Sequence, residues 1–254
     1  MVGKKILVTG SSGFIGSALV RKLKKMNLDV DGLDIVAQDT TNILVDLNEF
    51  ENADKYDIIF HMAAMTEIDS CELKPKKAYQ INVNGTMKLI DNFTGELFVY
   101  IQTIGVYSPI STYAKTKKIA GEYIINSKKP YIIFVLSGNV YGIGSKSVVW
   151  KFFINKEKGI KIFGDGSQIR DFVYIDDFIE ILCSCPNLEK NRTYHIGTGR
   201  YIKISKLAKI IGCKKISYAE RKKYDIIKPK FIEDIKCPTT LEQGLALMEK
   251  LMSI

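Results

Sequence analysis

The chain has 254 residues, room for one large domain or one and a half, and enough to bury a core without disulfide or metal staples. Hydrophobic residues at 46% and charged residues at 26% exclude a disordered or collagen-like chain, and no apolar run approaches the roughly 18 residues of a membrane helix. Only five of the 37 basic residues are arginine (Arg21, Arg170, Arg192, Arg200, Arg221), and the net charge of +9 gathers between Lys203 and Lys230.

In chain order, Lys5–Thr9 reads as a strand. Only Ile6-Leu7-Val8 separate Lys4 and Lys5 from polar and glycine residues, too little for a signal peptide. Helical spacing follows through Phe14, Ile15, Leu19 and Leu23, then strands over Val30–Ile35 and Asp57–His61. Pro75 opens a predicted helix running to Phe93. Leu97–Gln102 is a strand, Thr112–Asn126 a helix, and Tyr131–Leu136 a continuous apolar strand. Apolar strands separated by helices imply a parallel sheet covered on both faces, the Rossmann-type doubly wound α/β class.

After Gly142 the rhythm changes. A helix is expected over Ser147–Lys158, strands over Ile160–Phe163 and Asp171–Tyr174, and a helix from Asp176. A strand over Thr193–Ile196 and helices over Ser205–Ile211 and Leu241–Leu251 follow. The expected division is residues 1–142 as the doubly wound domain, with about 171–184 returning to it, and 143–254 as a smaller, partly interleaved C-terminal lobe for substrate.

Cys71, Cys183, Cys185, Cys213 and Cys237 show no CxxC or His-rich metal spacing, so they read as reduced, mostly buried thiols, and no metal site is expected. The ten basic residues between Lys203 and Lys230 face only Glu220 and Asp225. Without interleaved aromatics or a nucleic-acid motif they read as a solvated surface, so neither a nucleic-acid nor a membrane partner is expected, and the location is expected to be cytoplasmic.

Two constellations carry chemistry. Thr9-Gly10-Ser11-Ser12-Gly13-Phe14-Ile15-Gly16 follows the first strand and opens the first helix, the context of a dinucleotide fingerprint. Gly10 permits the turn, Gly13 lets backbone approach a pyrophosphate, and Gly16 lets the helix pack on the sheet. Free N–H groups at the helix start suit the phosphates. Asp34 ends the second strand, placed to accept from adenosine ribose hydroxyls and to repel a 2′-phosphate, which favours NAD over NADP. The second constellation is Tyr113-Ala114-Lys115-Thr116-Lys117, which puts Tyr113 and Lys117 on one helical face. A lysine ammonium beside a phenol stabilises the phenolate, so the tyrosine can act as a base near neutral pH. Thr103 sits upstream at the C-terminal end of a strand, where ligands bind in an open α/β sheet.

These residues, with His61-Met62-Ala63-Ala64 and Asn82-Val83-Asn84-Gly85-Thr86, resemble the extended short-chain dehydrogenase/reductase superfamily. More narrowly, the chain resembles its NAD-dependent sugar-nucleotide epimerase/dehydratase branch, the branch of UDP-glucose 4-epimerase. Asn139-Val140-Tyr141-Gly142, Gly164 to Asp177, Tyr194 to Gly199 and Thr240 to Leu245 extend the match in order along the chain. The resemblance implies NAD held by Gly10, Gly13, Phe14, Ile15, Gly16, Asp34, Asp46, Leu47, Ala63, Ala64, Asn82, Tyr113 and Lys117. Asp46 and Leu47 would flank the adenine, Ala63 and Ala64 would line the cofactor floor, and Asn82 would help hold the active-site helix.

It further implies Tyr113 as acid/base, Lys117 as its electrostatic partner and ribose ligand, and Thr103 as hydrogen-bond donor to the reacting sugar hydroxyl. Asn139 and Arg170 would hold the substrate diphosphate, and an arginine fork suits phosphate on its own terms. A structural pair of Arg170 with Asp171 or Asp176 is the alternative. His61 and His195 read as structural. The implied activity is UDP-hexose 4-epimerisation through a transient 4-keto sugar, in a homodimer paired through a four-helix bundle.

Three features depart from the branch: the short segment Ile104–Thr112, Leu136 where relatives commonly carry arginine, and trimmed loops. They motivate an alternative, an oxidoreductase of the same fold acting on a 4-keto sugar or a small hydroxy compound. Dehydratases of the branch follow the threonine with an Asp-Glu pair, where this chain has Ile104-Gly105, so water elimination lacks an acid/base catalyst.

Overall fold

The computed structural model describes residues 1–221, 223–224 and 233–253. They form two compact units, 1–135 with 179–194, and 136–178 with the described residues from 195 onward.

The first unit opens with β1 (Lys5–Thr9), α1 (Phe14–Lys25), β2 (Asp29–Asp34) and β3 (Ile43–Leu44). β4 (Ile58–His61), α2 (Ile68–Leu73), α3 (Pro75–Tyr79), α4 (Gly85–Asp91), β5 (Leu97–Thr103), α5 (Thr112–Asn126) and β6 (Tyr131–Leu136) follow. The strands lie in the order β3-β2-β1-β4-β5-β6. Pairings from β3 through β5 are parallel, with Val8 opposite both Gly32 and Phe60. Ile6, Leu7 and Val8 of β1 and Ile59 and Phe60 of β4 are fully buried, which is why these strands read as unbroken apolar runs. The order reverses at β1, so the C-terminal ends of β1 and β4 flank the crevice where such sheets take ligands.

Two local features shape that edge. Gly10 has φ +71, and a Cβ there would stand 2.7 Å from the backbone nitrogen of Ala63, so the turn after β1 admits no side chain. The helix expected from Pro75 to Phe93 is interrupted: a π-helical turn spans Gln80–Asn84 between α3 and α4. Asn82 sits inside that widened turn, and such turns collect at functional sites.

In the second unit, β7 (Asn139–Tyr141), α6 (Val148–Ile154), β8 (Ile160–Phe163), β9 (Ile169–Arg170) and β10 (Phe172–Tyr174) precede α7 (Ile175–Ser184) and β11 (Arg192–Gly197), each of which is shared with the first unit. β12 (Ile202–Lys203), α8 (Ile204–Ile211), β13 (Ile216–Ala219), β14 (Ile235–Lys236) and α9 (Leu241–Met252) complete it. β7 pairs parallel with β10, β8 with β13, and β11 with β14, while β9 and β12 are antiparallel. The chain changes unit within β6, α7 and β11, rather than after Gly142 and around 171–184 as the sequence rhythm suggests. Asp171 helps set these boundaries: fully buried, it accepts from Ser137 Oγ at 2.9 Å and from the Thr198 N–H at 2.7 Å, joining three segments of the second unit. α6 stops at Ile154, short of the expected Lys158, because Lys156, Glu157 and Lys158 offer no apolar residue to continue its buried face.

The cysteines are unpaired thiols. Among the described residues no helix is long and apolar enough to cross a membrane, and no group of three or more His, Cys, Asp or Glu could hold a metal. Within the basic stretch, Lys214 pairs with Glu157 at 2.7 Å and Arg221 with Asp165 at 2.6 Å. Lys222 and residues 225–232, with Asp225, Lys228 and Lys230, lie outside the described residues.

Candidate active site

The glycine loop leaves β1 at Gly10, whose N–H donates to Leu33 at 2.8 Å, and turns through a Gly13 N–H to Gly10 carbonyl bond of 3.0 Å. Gly13 then caps α1 without any side-chain acceptor, so the first N–H groups of the helix, from Phe14, Ile15 and Gly16, have no side chain to satisfy them. That is the chemistry of an anion cradle. A Cβ at Gly16 would stand 2.1 Å from the Gly10 carbonyl, so loop and helix meet only because the residue is glycine. Asp34, at the end of β2, accepts from the Ser12 N–H at 3.0 Å and the Val36 N–H at 3.1 Å. These bonds aim the carboxylate across the loop and leave it acceptor capacity for hydroxyl donors.

Asp46 accepts from the Asn48 backbone and side-chain nitrogens, both at 2.9 Å, and these bonds hold its carboxyl below the ordinary carboxylate range. Leu47 is buried against Gly85 of α4. Ala63 and Ala64 are half-buried just beyond β4, and the Ala63 N–H donates to Thr9 Oγ1 at 3.2 Å. The residues present therefore fit a dinucleotide: backbone N–H groups that could cradle a pyrophosphate, a carboxylate that could accept from ribose hydroxyls, and small side chains that could line a cofactor.

A buried polar chain underlies this edge. The Thr86 hydroxyl donates to the Asn82 carbonyl at 2.8 Å, so its oxygen accepts from His61 Nε2–H at 2.8 Å. His61 Nδ1 is then left to accept from the Thr9 hydroxyl at 2.7 Å. Burial, and then the charge of Lys117, push the imidazole down to about 3. His61 is a neutral brace between the glycine loop and α4.

The Asn82 side chain is engaged within the protein. Its Oδ1 accepts from the Met65 N–H at 2.7 Å, and its Nδ2 donates to the Met65 carbonyl and to Thr116 Oγ1, both at 3.0 Å. Both amide hydrogens are spent on protein, so Asn82 ties the loop after β4 to the middle of α5.

Thr103 ends β5, half-buried, with the Gly105 N–H donating to its hydroxyl at 3.3 Å. α5 starts at Thr112 because Ser111 caps it: Ser111 Oγ accepts the Ala114 N–H at 3.2 Å, and Glu72 Oε1 accepts the Thr112 N–H at 2.6 Å. Tyr113 lies in that first turn, and Lys117 one turn on is 4% exposed. Burial and the adjacent Cys71 push the Tyr113 phenol above its ordinary value, while burial brings Lys117 down to about 7. Burial thus disfavours the charged form of both groups, so a Tyr113 phenolate forms only when a cation stands by to support it.

The sequence reading missed Tyr100 and Gln102, taking β5 as an apolar strand. The Lys117 ammonium lies over the Tyr100 ring, 3.8 Å from its centroid, and Gln102 Nε2 donates to the Lys117 carbonyl at 3.1 Å. Their two-residue spacing, which puts both on one face of the strand, was the available signal.

In the second unit, Asn139 is exposed at the start of β7, and Arg170 is half-buried in β9 with its Nη1 donating to the Ile169 carbonyl at 2.9 Å. The Asp171 carboxylate takes donors from Ser137, Thr198 and Phe172. His195 Nδ1 meets Asp234 at 2.9 Å.

The family model for the NAD dependent epimerase/dehydratase family matches residues 6–197. A Methanocaldococcus jannaschii protein described as "Putative UDP-glucose 4-epimerase" is 32% identical over 248 residues, covering 81% of each chain. Human dTDP-D-glucose 4,6-dehydratase is 28% identical over 254 residues, covering 81% of this chain and 72% of its own. Among solved structures, a UDP-glucose 4-epimerase with UDP-glucose from Thermotoga maritima superposes with a TM-score of 0.89 at 24% identity, over 98% of both chains. At that identity the superposition speaks for the fold.

Proposed function

The chain belongs to the NAD dependent epimerase/dehydratase family, and within it we propose that the protein is a sugar-nucleotide 4-epimerase acting on UDP-hexoses. What supports this reading is Thr103 at the end of β5 and Tyr113 and Lys117 on α5, in the same unit as the glycine loop after β1, with Ile104-Gly105 in place of an acid/base pair. When bound, NAD would supply the hydride acceptor and donor for C4. Tyr113 takes the proton of the C4 hydroxyl as the carbonyl forms and gives it back when the opposite face is reduced. Lys117, protonated, lowers the cost of the Tyr113 phenolate and reaches the nicotinamide ribose. Thr103 hydrogen-bonds the reacting oxygen. Asn139 and Arg170 hold the diphosphate, so the 4-keto sugar turns over without leaving.

The relatives named for 4-epimerisation support this reading, and the missing acid/base pair weighs against dehydration. The short Ile104–Thr112 segment and Leu136 favour a second reading, a net oxidoreductase of the same fold. An isologous homodimer through the Pro75–Phe93 segment, with its α3 and α4, and α5 belongs to the first reading. Tyr79 and Ile125 are 44% and 47% exposed on these helices, among Lys115, Lys118 and Glu122. Light scattering at micromolar concentration should give twice the chain mass, and a monomer would remove that part.

NMR of the protein with UDP-galactose or UDP-glucose tests the activity. Interconversion without net NADH supports the epimerase. One NADH made or consumed per turnover supports the oxidoreductase, and no change in either sugar with NAD bound rejects the UDP-hexose assignment.

A further inference from the structure

Among the described residues no carboxylate stands within ion-pair distance of Lys117, although the side chain is 4% exposed. Its ammonium rests instead on the fully buried Tyr100 ring, 3.8 Å from the centroid. Two residues along the same face of β5, Gln102 holds the Lys117 backbone carbonyl at 3.1 Å. The approach of strand to helix is close there: a Cβ on Gly121 would stand 2.2 Å from Gln102 Nε2. One strand therefore grips Lys117 at both its main chain and its charge.

We infer that Tyr100 is a positioning residue for the reaction, its ring face holding the Lys117 ammonium protonated and in place behind Tyr113, with Gln102 fixing the backbone beneath it. The inference rests on the proposed role of Lys117 in assisting Tyr113. A buried ammonium has lost its water, and the negative face of an aromatic ring replaces part of that solvation. Desolvation pulls Lys117 down to about 7, and the ring opposes that pull. The other titratable groups packed around it do not. His61 of β4 stacks on Tyr100 with centroids 5.6 Å apart, but burial keeps it neutral. Tyr113, one turn earlier on α5, and Cys71 of α2 beside it are both pushed up by burial and stay uncharged. Tyr100 is the neighbour that favours the cation.

The test varies the ring's charge distribution while holding its shape. Residue 100 is made Phe, then Phe with one, two and three ring fluorines, and Tyr100→Leu removes the ring. Lys117 is followed without catalysis by the 13Cε resonance of lysine-labelled protein, identified by its absence from Lys117→Met. Tyr100→Phe should titrate near the parent. Each fluorine should move the midpoint to lower pH, and loss of the ring should move it by roughly 1.5 pH units. The alkaline limb of kcat with NAD and sugar nucleotide should move in parallel, since turnover falls once Lys117 loses its proton. A midpoint that stays fixed across the fluorinated series overturns the ring–ammonium role, and the series decides this even if Tyr100→Leu does not fold. A midpoint that moves while the kcat limb does not overturns the role in the reaction. A moving midpoint without turnover of any sugar nucleotide sinks the functional reading and leaves the contact standing.

Discussion

Lys117 carries its charge into the interior against an aromatic ring rather than a carboxylate, so Lys117→Met removes a buried cation and keeps most of the side-chain volume. Two effects compete. The lost cation–π contact is worth about 2 kcal/mol in a dry site. Desolvation of the ammonium costs several kcal/mol, and replacing buried charge by a packed apolar chain commonly stabilises by about 1–4 kcal/mol. Desolvation wins, and at roughly 2–4 °C per kcal/mol the melting temperature without NAD should rise by about 2–16 °C.

The gain should depend on pH. Lys117 is held down at about 7 in the fold against an ordinary 10.5. Below pH 7 it is charged in both folded and unfolded chains, and the burial penalty is fully present. Between about 7 and 10.5 the unfolded chain binds the extra proton, so the parent gains stability as pH rises, and the variant lacks that slope. The Lys117→Met advantage should thus be larger at pH 6 than at pH 9, while the further rise in melting temperature on adding NAD shrinks and turnover falls. Melts at both pH values, with and without NAD, measure all of this. A variant that melts below the parent at pH 6, or whose advantage grows with pH, refutes the reasoning.

Tyr113→Phe removes one hydroxyl and should lower turnover about 10²–10⁴-fold while the melt and its response to NAD barely move; an unchanged rate takes Tyr113 out of the mechanism. Thr86→Val strips His61 Nε2–H of its acceptor in a buried chain, so urea unfolding should show a loss of about 1–3 kcal/mol, and a neutral result would mean this bond adds nothing to stability. Gly16→Ala brings a Cβ within 2.1 Å of the Gly10 carbonyl, so calorimetric titration should show NAD affinity lost; an undiminished affinity would remove the glycine cradle from the cofactor site.

Much of the cofactor edge was legible because its signals are local. β1, β6 and α5 have the boundaries that apolar runs and helical spacing indicate, and Tyr-x-x-x-Lys fixes two side chains within one helical turn. What was not legible depends on partners distant in sequence. The π turn at Gln80–Asn84 exists alongside bonds from Asn82 to Met65 and Thr116, which no window around Asn82 reveals. β9, β12 and β14 have two residues each, too few for any alternation to show. Tyr100 gave no signal of its own within the Leu97–Gln102 strand; only the distance to Lys117 distinguishes it.

The central claim is that hydride leaves C4 of a sugar nucleotide and returns to the same carbon, and UDP-glucose deuterated at C4 tests it most directly. Epimerisation as described gives UDP-galactose that keeps deuterium at C4, with no NADH accumulating and no exchange with solvent. Deuterium recovered in free NADH, or in solvent, or an unreacted sugar beside NAD-loaded protein would contradict it.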